Sequence, residues 1–230
     1  MAAAPRLFQL AEWGRVGLGL AFPPLPLQEP MARRIEPPFC RQCGEPYDGA
    51  LFGEFLCSNC REREWSLAWG RSPYRAEGAV REAIHAFKYR QQFHVLRTLA
   101  DWLEDGYRQF AAGERWDALV AVPLHPVRHR TRGFNQSEEL CRVLGRRQGI
   151  PVLRCLKRVR PTPKQAWLSR GPRLRNLLGA FEFKRRFDVE GRRLLVIDDV
   201  FTTGATAEAC ARILVSQGAS RVAALTIARA

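Results

Sequence analysis

Asp198 and Asp199 stand side by side, and Thr202, Thr203, Gly204, Ala205 and Thr206 follow within the run LLVIDDVFTTGAT. Paired carboxylates can hold sugar hydroxyls or a cation. A turn rich in hydroxyls and glycine at a helix N-terminus offers backbone N–H groups and the positive end of the helix dipole to a phosphate. A ribose 5-phosphate is one ligand that needs both. The flanking residues suit this chemistry: Leu194 to Ile197 and Val200 read as a strand buried on both faces. After the turn, Ala209, Ile213 and Leu214 repeat at helical spacing, and Gly218 supplies a stop. Taken alone, a DDxxTTG run is as readily a structural strand end. The strand before it and the helix after it sharpen the binding reading. The two acids are expected at an exposed strand end, contributing little to the core.

The second chemical pattern is sulfur. Cys40 and Cys43 are separated by two residues, as are Cys57 and Cys60, with thirteen residues between the pairs. Four thiolates at this spacing complete a tetrahedral Zn²⁺ shell and leave no open position for catalysis. Two copies at ribbon spacing argue against a redox pair, and Gly44 suits the tight turn after the first knuckle. Cys141, Cys155 and Cys210 fall in apolar or helical stretches and read as reduced core residues, which places the chain in a reducing compartment, the cytoplasm.

The third pattern is charge. The 230 residues carry a net charge of +14, and the segment from Val120 to Arg193, with 19 basic and 5 acidic side chains, holds all of it. Such a block points to phosphates in a small ligand, a nucleic acid or a lipid surface; a well-solvated surface is the bland reading. Within it, VAVPLHPVRHRTRGFNQSEEL reads as a strand ending at Pro123 and a loop bearing Arg128, Arg130 and Arg132. A helix capped by Asn135 with Glu138 follows. Guanidinium forks suit pyrophosphate. Residues 157–178 show no usable periodicity and read as a closing loop, with Lys157, Arg158, Lys164, Gln165 and Arg175 as candidate contacts. Arg158, Arg160 and Lys164 beside Trp167, with Phe134 and Phe181 among the same arginines, are expected to bind single-stranded DNA by charge and stacking.

The elements that position these groups follow from pattern. Residues 1–37 form a Pro-rich leader with a short helix over 8–16; its apolar stretch, broken by prolines, does not read as a secretory signal. Residues 38–72 are the cysteine module and 73–230 the main domain. One helix carries Val80, Ile84 and Phe87 on a face, and a second carries Val95, Leu99, Trp102, Leu103 and Phe110. His85 and His94 within these stretches read as surface or packing residues. Strands are expected over 116–123, 150–156, 193–199 and 220–228, with helices from Asn135 to Gly149 and over 205–217. Alternating strands and helices predict an α/β fold, a mostly parallel sheet with flanking helices and its ligand at the carboxyl ends of the strands. No run of 18 apolar residues exists, so no membrane span is expected.

The run VIDDVFTTGAT resembles the phosphoribosyl pyrophosphate (PRPP) motif of type I phosphoribosyltransferases. The double C-x2-C, HAFKYR, VPLHPVRHRTRGFNQ, TPKQAWLSRGPRLRNLLGAF and VIDDVFTTGAT, in this order, are together similar to the ComF family of competence proteins, over roughly residues 38–230. The resemblance implies a zinc-binding N-terminal module joined to a type I phosphoribosyltransferase fold. Asp198 and Asp199 would hold the ribose 2- and 3-hydroxyls of PRPP. Val200 and Thr202 through Thr206 would surround its 5-phosphate. Mg²⁺ would accompany the pyrophosphate, and Arg128 and Arg132 would neutralise it as it leaves. Purine-salvage members carry an aspartate where this chain has Thr202, so the pattern departs from purine salvage. The implied role is natural transformation or the use of DNA as a nutrient. Single-stranded DNA is one implied partner and the uptake machinery at the inner face of the membrane another. Two other readings stay open: a PRPP-sensing, single-strand-binding accessory without catalysis, and a regulator of nucleotide metabolism.

Overall fold

The computed structural model describes residues 32–47, 49, 55–160 and 179–230. Its centre is a sheet whose three main strands are the apolar runs β3 (Ala118–Ala121), β7 (Arg193–Phe201) and β8 (Arg221–Arg229). The short strands β1 (Gly70–Arg71), β2 (Tyr74–Arg75) and β4 (Val152–Leu153) complete it. The order is β1-β8-β7-β3-β4, with β2 also along β8, and every pairing is parallel. Because alternate side chains leave a strand on opposite faces, Leu195 and Ile197 join one core and Leu194 and Val196 the other.

Helices α2 (Gly78–Arg90), α3 (Leu96–Gly106) and α5 (Gln136–Gln148) supply the first core. Val80, Ile84 and Phe87 of α2 are buried there, on the predicted stripe. The other face is covered by α6 (Ala205–Ser216), by the cysteine segment with its single helical turn α1 (Ser58–Arg61), and by an antiparallel ribbon of β5 (Leu156–Arg158) and β6 (Phe181–Phe183). The connection β3–α5–β4 thus runs over one face and β7–α6–β8 over the other. Neighbouring strands whose connections diverge this way open a crevice at their carboxyl ends. Here that crevice lies between β3 and β7, where Ala121 is paired with Ile197 just before the two aspartates.

The mostly parallel sheet with flanking helices is as expected, and several local expectations change. The strand over 150–156 is two strands: Val152 and Leu153 follow β3, and the chain then leaves the sheet to pair with Phe181–Phe183. Lys157 and Arg158 therefore lie in a strand and not in a loop. The arginines after Pro123 lie on a short helix, α4 (Pro126–Arg132), with Pro126 at its first position and His125 accepting the Val127 N–H at 3.3 Å. Strand β7 runs on through Phe201, so both acids are inside it. Asn135 caps α5 as predicted, its side chain accepting the Ser137 N–H, while Glu138 pairs with Arg154. Cys141, Cys155 and Cys210 are buried, and burial pushes their thiols up, Cys155 to about 11. The expected leader helix and Lys164, Gln165, Trp167 and Arg175 lie outside the described residues. Among the described residues no helix is long and apolar enough to cross a membrane.

Candidate functional site

Asp199 is buried and Asp198 half-buried, and both are partnered, which corrects the expectation of an exposed strand end. Asp199 is 5% exposed, and its Oδ2 pairs with Lys88 Nζ. Asp198 Oδ1 accepts the Ser137 hydroxyl at 2.7 Å and the Asp199 N–H at 3.0 Å. Residue 199 shares the parity of Leu195 and Ile197 and meets α2. Asp198 has the other parity and feels Arg158 of the opposite layer as well as Lys88. Burial raises the Asp198 carboxyl above its ordinary range, against the pull of Lys88 and the Ser137 bond. Burial lowers the Lys88 ammonium to about 8, with Asp198 raising it and Arg132 lowering it.

Three arginines complete the cluster. Arg132 donates to Gln136 Oε1 at 2.5 Å and lies 5.4 Å from the Tyr89 ring centre. Arg158, 8% exposed, lies over the Phe181 ring at 5.2 Å. Arg128 is close enough to lower both guanidinium groups, whose affinity for the proton is already reduced by burial. Cations that depress one another in this way create a positive field beside the two carboxylates. Arg130, by contrast, is exposed on α4.

The nucleic-acid expectation changes here. Phe134 is 4% exposed and packs at 4.9 Å from both Phe87 and Phe93, and Phe181 is buried under Arg158. Neither ring has a free face for a base. Arg158 belongs with the acid cluster and not on an open surface. Lys157 is spent on Glu182 at 2.7 Å, and Arg160 is exposed at the border of the described residues.

Beyond the acids, Val200, Thr202, Thr203 and Thr206 are half-buried and Ala205 is buried. Gly204 caps α6 in the left-handed region at φ 73°, and a Cβ there would fall 2.6 Å from the Phe201 ring and 2.9 Å from Trp65. Only glycine fits both the angle and the space. Thr203 Oγ1 accepts the Ala205 N–H at 3.4 Å, closing the turn into the helix.

The four module cysteines converge, with all Sγ atoms within 4.8 Å of one another and Cys43 and Cys57 at 3.7 Å. Bonds of about 2.3 Å to one tetrahedral ion set sulfurs about 3.8 Å apart, so the arrangement can hold such an ion. Gly44, at φ 68°, turns the first knuckle, and the Cys57 N–H points to Cys40 Sγ at 3.4 Å. Bonds from Cys43 and Cys60 hold the Cys40 thiol well below its usual range, and Cys43 is pushed up to about 12 by its bond to Cys40. Thiols this close cannot all ionise unless a cation neutralises them. Between this module and the loop lies a cavity of about 280 Å³, lined by Cys43, Cys60, Arg63, Trp65, Thr202 and Thr203 among others.

The structure therefore joins Asp198, Asp199, Arg128, Arg132 and Arg158 and adds Lys88 and Ser137. Lys88 had a readable signal: it falls four residues after Ile84 and eight after Val80, a cation on a buried stripe. Ser137 had none beyond its place at a helix start.

No protein-family model matches the chain. In sequence it is similar to DNA utilization protein YhgH of Escherichia coli K12, 33% identical over 202 residues that cover 83% of this chain and 84% of that protein. Competence protein F of Haemophilus influenzae is 32% identical over 84% and 85% of the two chains. Competence protein ComFC of Bacillus subtilis is 27% identical over 86% and 80%. Among solved structures, the glutamine PRPP amidotransferase of B. subtilis overlaps 56% of this chain and 25% of its own, at a TM-score of 0.37 and 21% identity. Hypoxanthine phosphoribosyltransferase of Trypanosoma cruzi overlaps 56% and 61%, at 0.34 and 13%. Overlaps at those scores are too slight to argue from; the sequence relatives are not.

Proposed function

The chain belongs to the ComF family, with DNA utilization and competence F proteins as its relatives, and we propose that it binds PRPP at the carboxyl ends of β3 and β7 in the service of DNA utilization. The observation that carries this reading is the cluster itself. Two carboxylates able to hold hydroxyls sit among Lys88, Arg128, Arg132 and Arg158, whose mutual repulsion an anion would relieve. PRPP offers hydroxyls to Asp198 and Asp199, a 5-phosphate to Thr202–Thr206 and a pyrophosphate to Arg128 and Arg132.

In the transferase form of this reading, fixed charge lowers the barrier. The acids favour positive charge developing at the ribose C1, and the arginines receive the departing pyrophosphate. Mg²⁺ fits as a companion of the ligand: the acids already have Lys88 and Ser137 as partners, and this ion keeps much of its water shell. It would neutralise pyrophosphate oxygens. Zinc in the four-thiolate site would be structural, because no ligand position stays open. Arg160, Lys164 and Trp167 remain the proposed contacts to single-stranded DNA, and attachment at the inner face of the membrane would be peripheral.

Titration of the full chain with PRPP and Mg²⁺ tests the reading, with ribose 5-phosphate and pyrophosphate as fragments. One PRPP per chain, bound more tightly than either fragment, is expected. Absence of saturable binding overturns it. Pyrophosphate release on adding nucleobases then separates a transferase from a binding-only accessory.

A further inference from the structure

The cysteine module and the phosphate loop are tied together by side chains that belong to the chemistry of neither. Glu208, in the first turn of α6 and 5% exposed, accepts the Ser66 N–H at 3.0 and 3.1 Å and the Leu67 N–H at 3.1 Å. These residues lie in the chain leaving Cys60. The N–H of Glu208 goes to the Gly204 carbonyl at 2.8 Å, so the carboxylate that grips the module starts one turn from the loop. Arg229, buried at the end of β8, donates to the Cys43 carbonyl at 2.9 Å and to Glu45 at 3.1 Å. It also lies 5.3 Å from the ring centre of Phe201, the residue before the loop. Arg63 reaches the Thr203 carbonyl at 3.4 Å, and Trp65 closes on Gly204. Residues 201–205 are thus braced by Arg63 and Trp65, which lie in the chain leaving the four-thiol fold, and by Glu208 and Arg229, whose side chains are held by module backbone.

We propose that Glu208 and Arg229 are positioning residues through which the cysteine module sets the shape of the phosphate loop, so that metal held by the thiols governs the loop's readiness to take an anion. The identity of that anion as PRPP rests on the reading above; the coupling does not. A module of this size has too little core to keep its shape without its ion, because metal binding and folding are linked. Once stripped, it no longer fixes the Cys43 carbonyl or the Ser66 and Leu67 amides. A buried carboxylate deprived of its two backbone donors keeps only Arg212, at 3.6 Å on its own helix, and in shifting toward it or toward water it carries the start of α6 with it.

Amide hydrogen exchange on the full chain tests this, comparing metal-loaded protein, chelator-stripped protein and metal-loaded Glu208→Ala and Glu208→Gln. Stripping and Glu208→Ala should each lower protection of residues 202–208 by about tenfold or more, the equivalent of one lost charge-assisted hydrogen bond, while central β7 and β8 amides keep theirs. Glu208→Gln retains one acceptor oxygen and should lose less. Metal content should stay at one ion per chain in both variants, a result that a general collapse of the module would not give. If Glu208→Ala does not fold, Arg229→Lys, which cannot serve Cys43 and Glu45 with one planar fork, replaces it. PRPP affinity should fall with loop protection. Loop exchange indifferent to both stripping and the variants overturns the proposal. Loop exchange that responds in a protein that binds no PRPP even when metal-loaded upholds the coupling and removes the ligand.

Discussion

The cysteine cluster and the acid cluster flank the same loop and are built on opposite plans. The first draws its four side chains from residues 40–60, and its geometry is a matter of two local turns. The second gathers Lys88 from α2, Arg128 and Arg132 from α4, Ser137 from α5, Arg158 from β5 and two acids from β7. Their charges are handled differently as well. Four thiolates depend on an added cation, whereas the acids are neutralised by a lysine of the chain itself. A site of the first kind is expected to lose its shape without an ion. A site of the second kind keeps its shape before any ligand arrives.

That contrast breaks most visibly on metal removal. Structural zinc contributes about 10–16 kcal/mol of apparent binding energy in small modules, so chelation, or Cys43→Ser, should abolish exchange protection of the Cys40, Gly44, Cys57 and Cys60 amides. Amides of β3 and β7 should stay protected. Metal analysis that finds no ion in protein purified without chelator contradicts the plan.

The self-neutralised acid pair comes next. Lys88→Met or Asp199→Ala strands a buried charge and should cost about 3–5 kcal/mol, read from urea midpoints. Replacing both together by apolar residues should recover most of the loss. Single variants no worse than the double would show that the pair is not buried in solution. Phe134→Ala, at about 3 kcal/mol, tests the same assignment from the core side. It should destabilise the fold and leave single-strand affinity of the folded fraction unchanged.

These positions also show what the sequence could and could not reveal. The metal pattern and the acid-and-threonine run are local, so spacing alone made them legible, as did the apolar strands β7 and β8. Phe134 and Phe181 looked like stacking rings because composition records that aromatics lie near arginines but not which way they face. Arg158 was misplaced for the same reason. The two-residue strands β1, β2 and β4 are too short to show a period, and the pairing of β5 with β6 spans the segment 161–178, a relation no local window contains. Lys88 was readable from its stripe, but only its partner on a distant strand explains it.

A smaller effect concerns pH. Burial holds Lys88 at about 8. Below that value it is charged both before and after a polyanion binds, so Lys88 adds no slope of its own. Above it, binding must also draw in a proton, and PRPP affinity should fall by up to about tenfold per pH unit. Lys88→Met should remove that slope; a slope of the same size in the variant assigns the titration elsewhere.

Calorimetric titration of Mg²⁺ and PRPP into the native chain and into Asp198→Asn addresses the central claim most directly. The variant keeps an oxygen for Ser137 and loses only the charge. The acid-pair assignment predicts one PRPP per native chain and an affinity at least about tenfold lower in the variant at an unchanged unfolding midpoint, as the loss of a charge-assisted bond requires. Equal affinity in the two proteins, or no binding to the native chain, would contradict it.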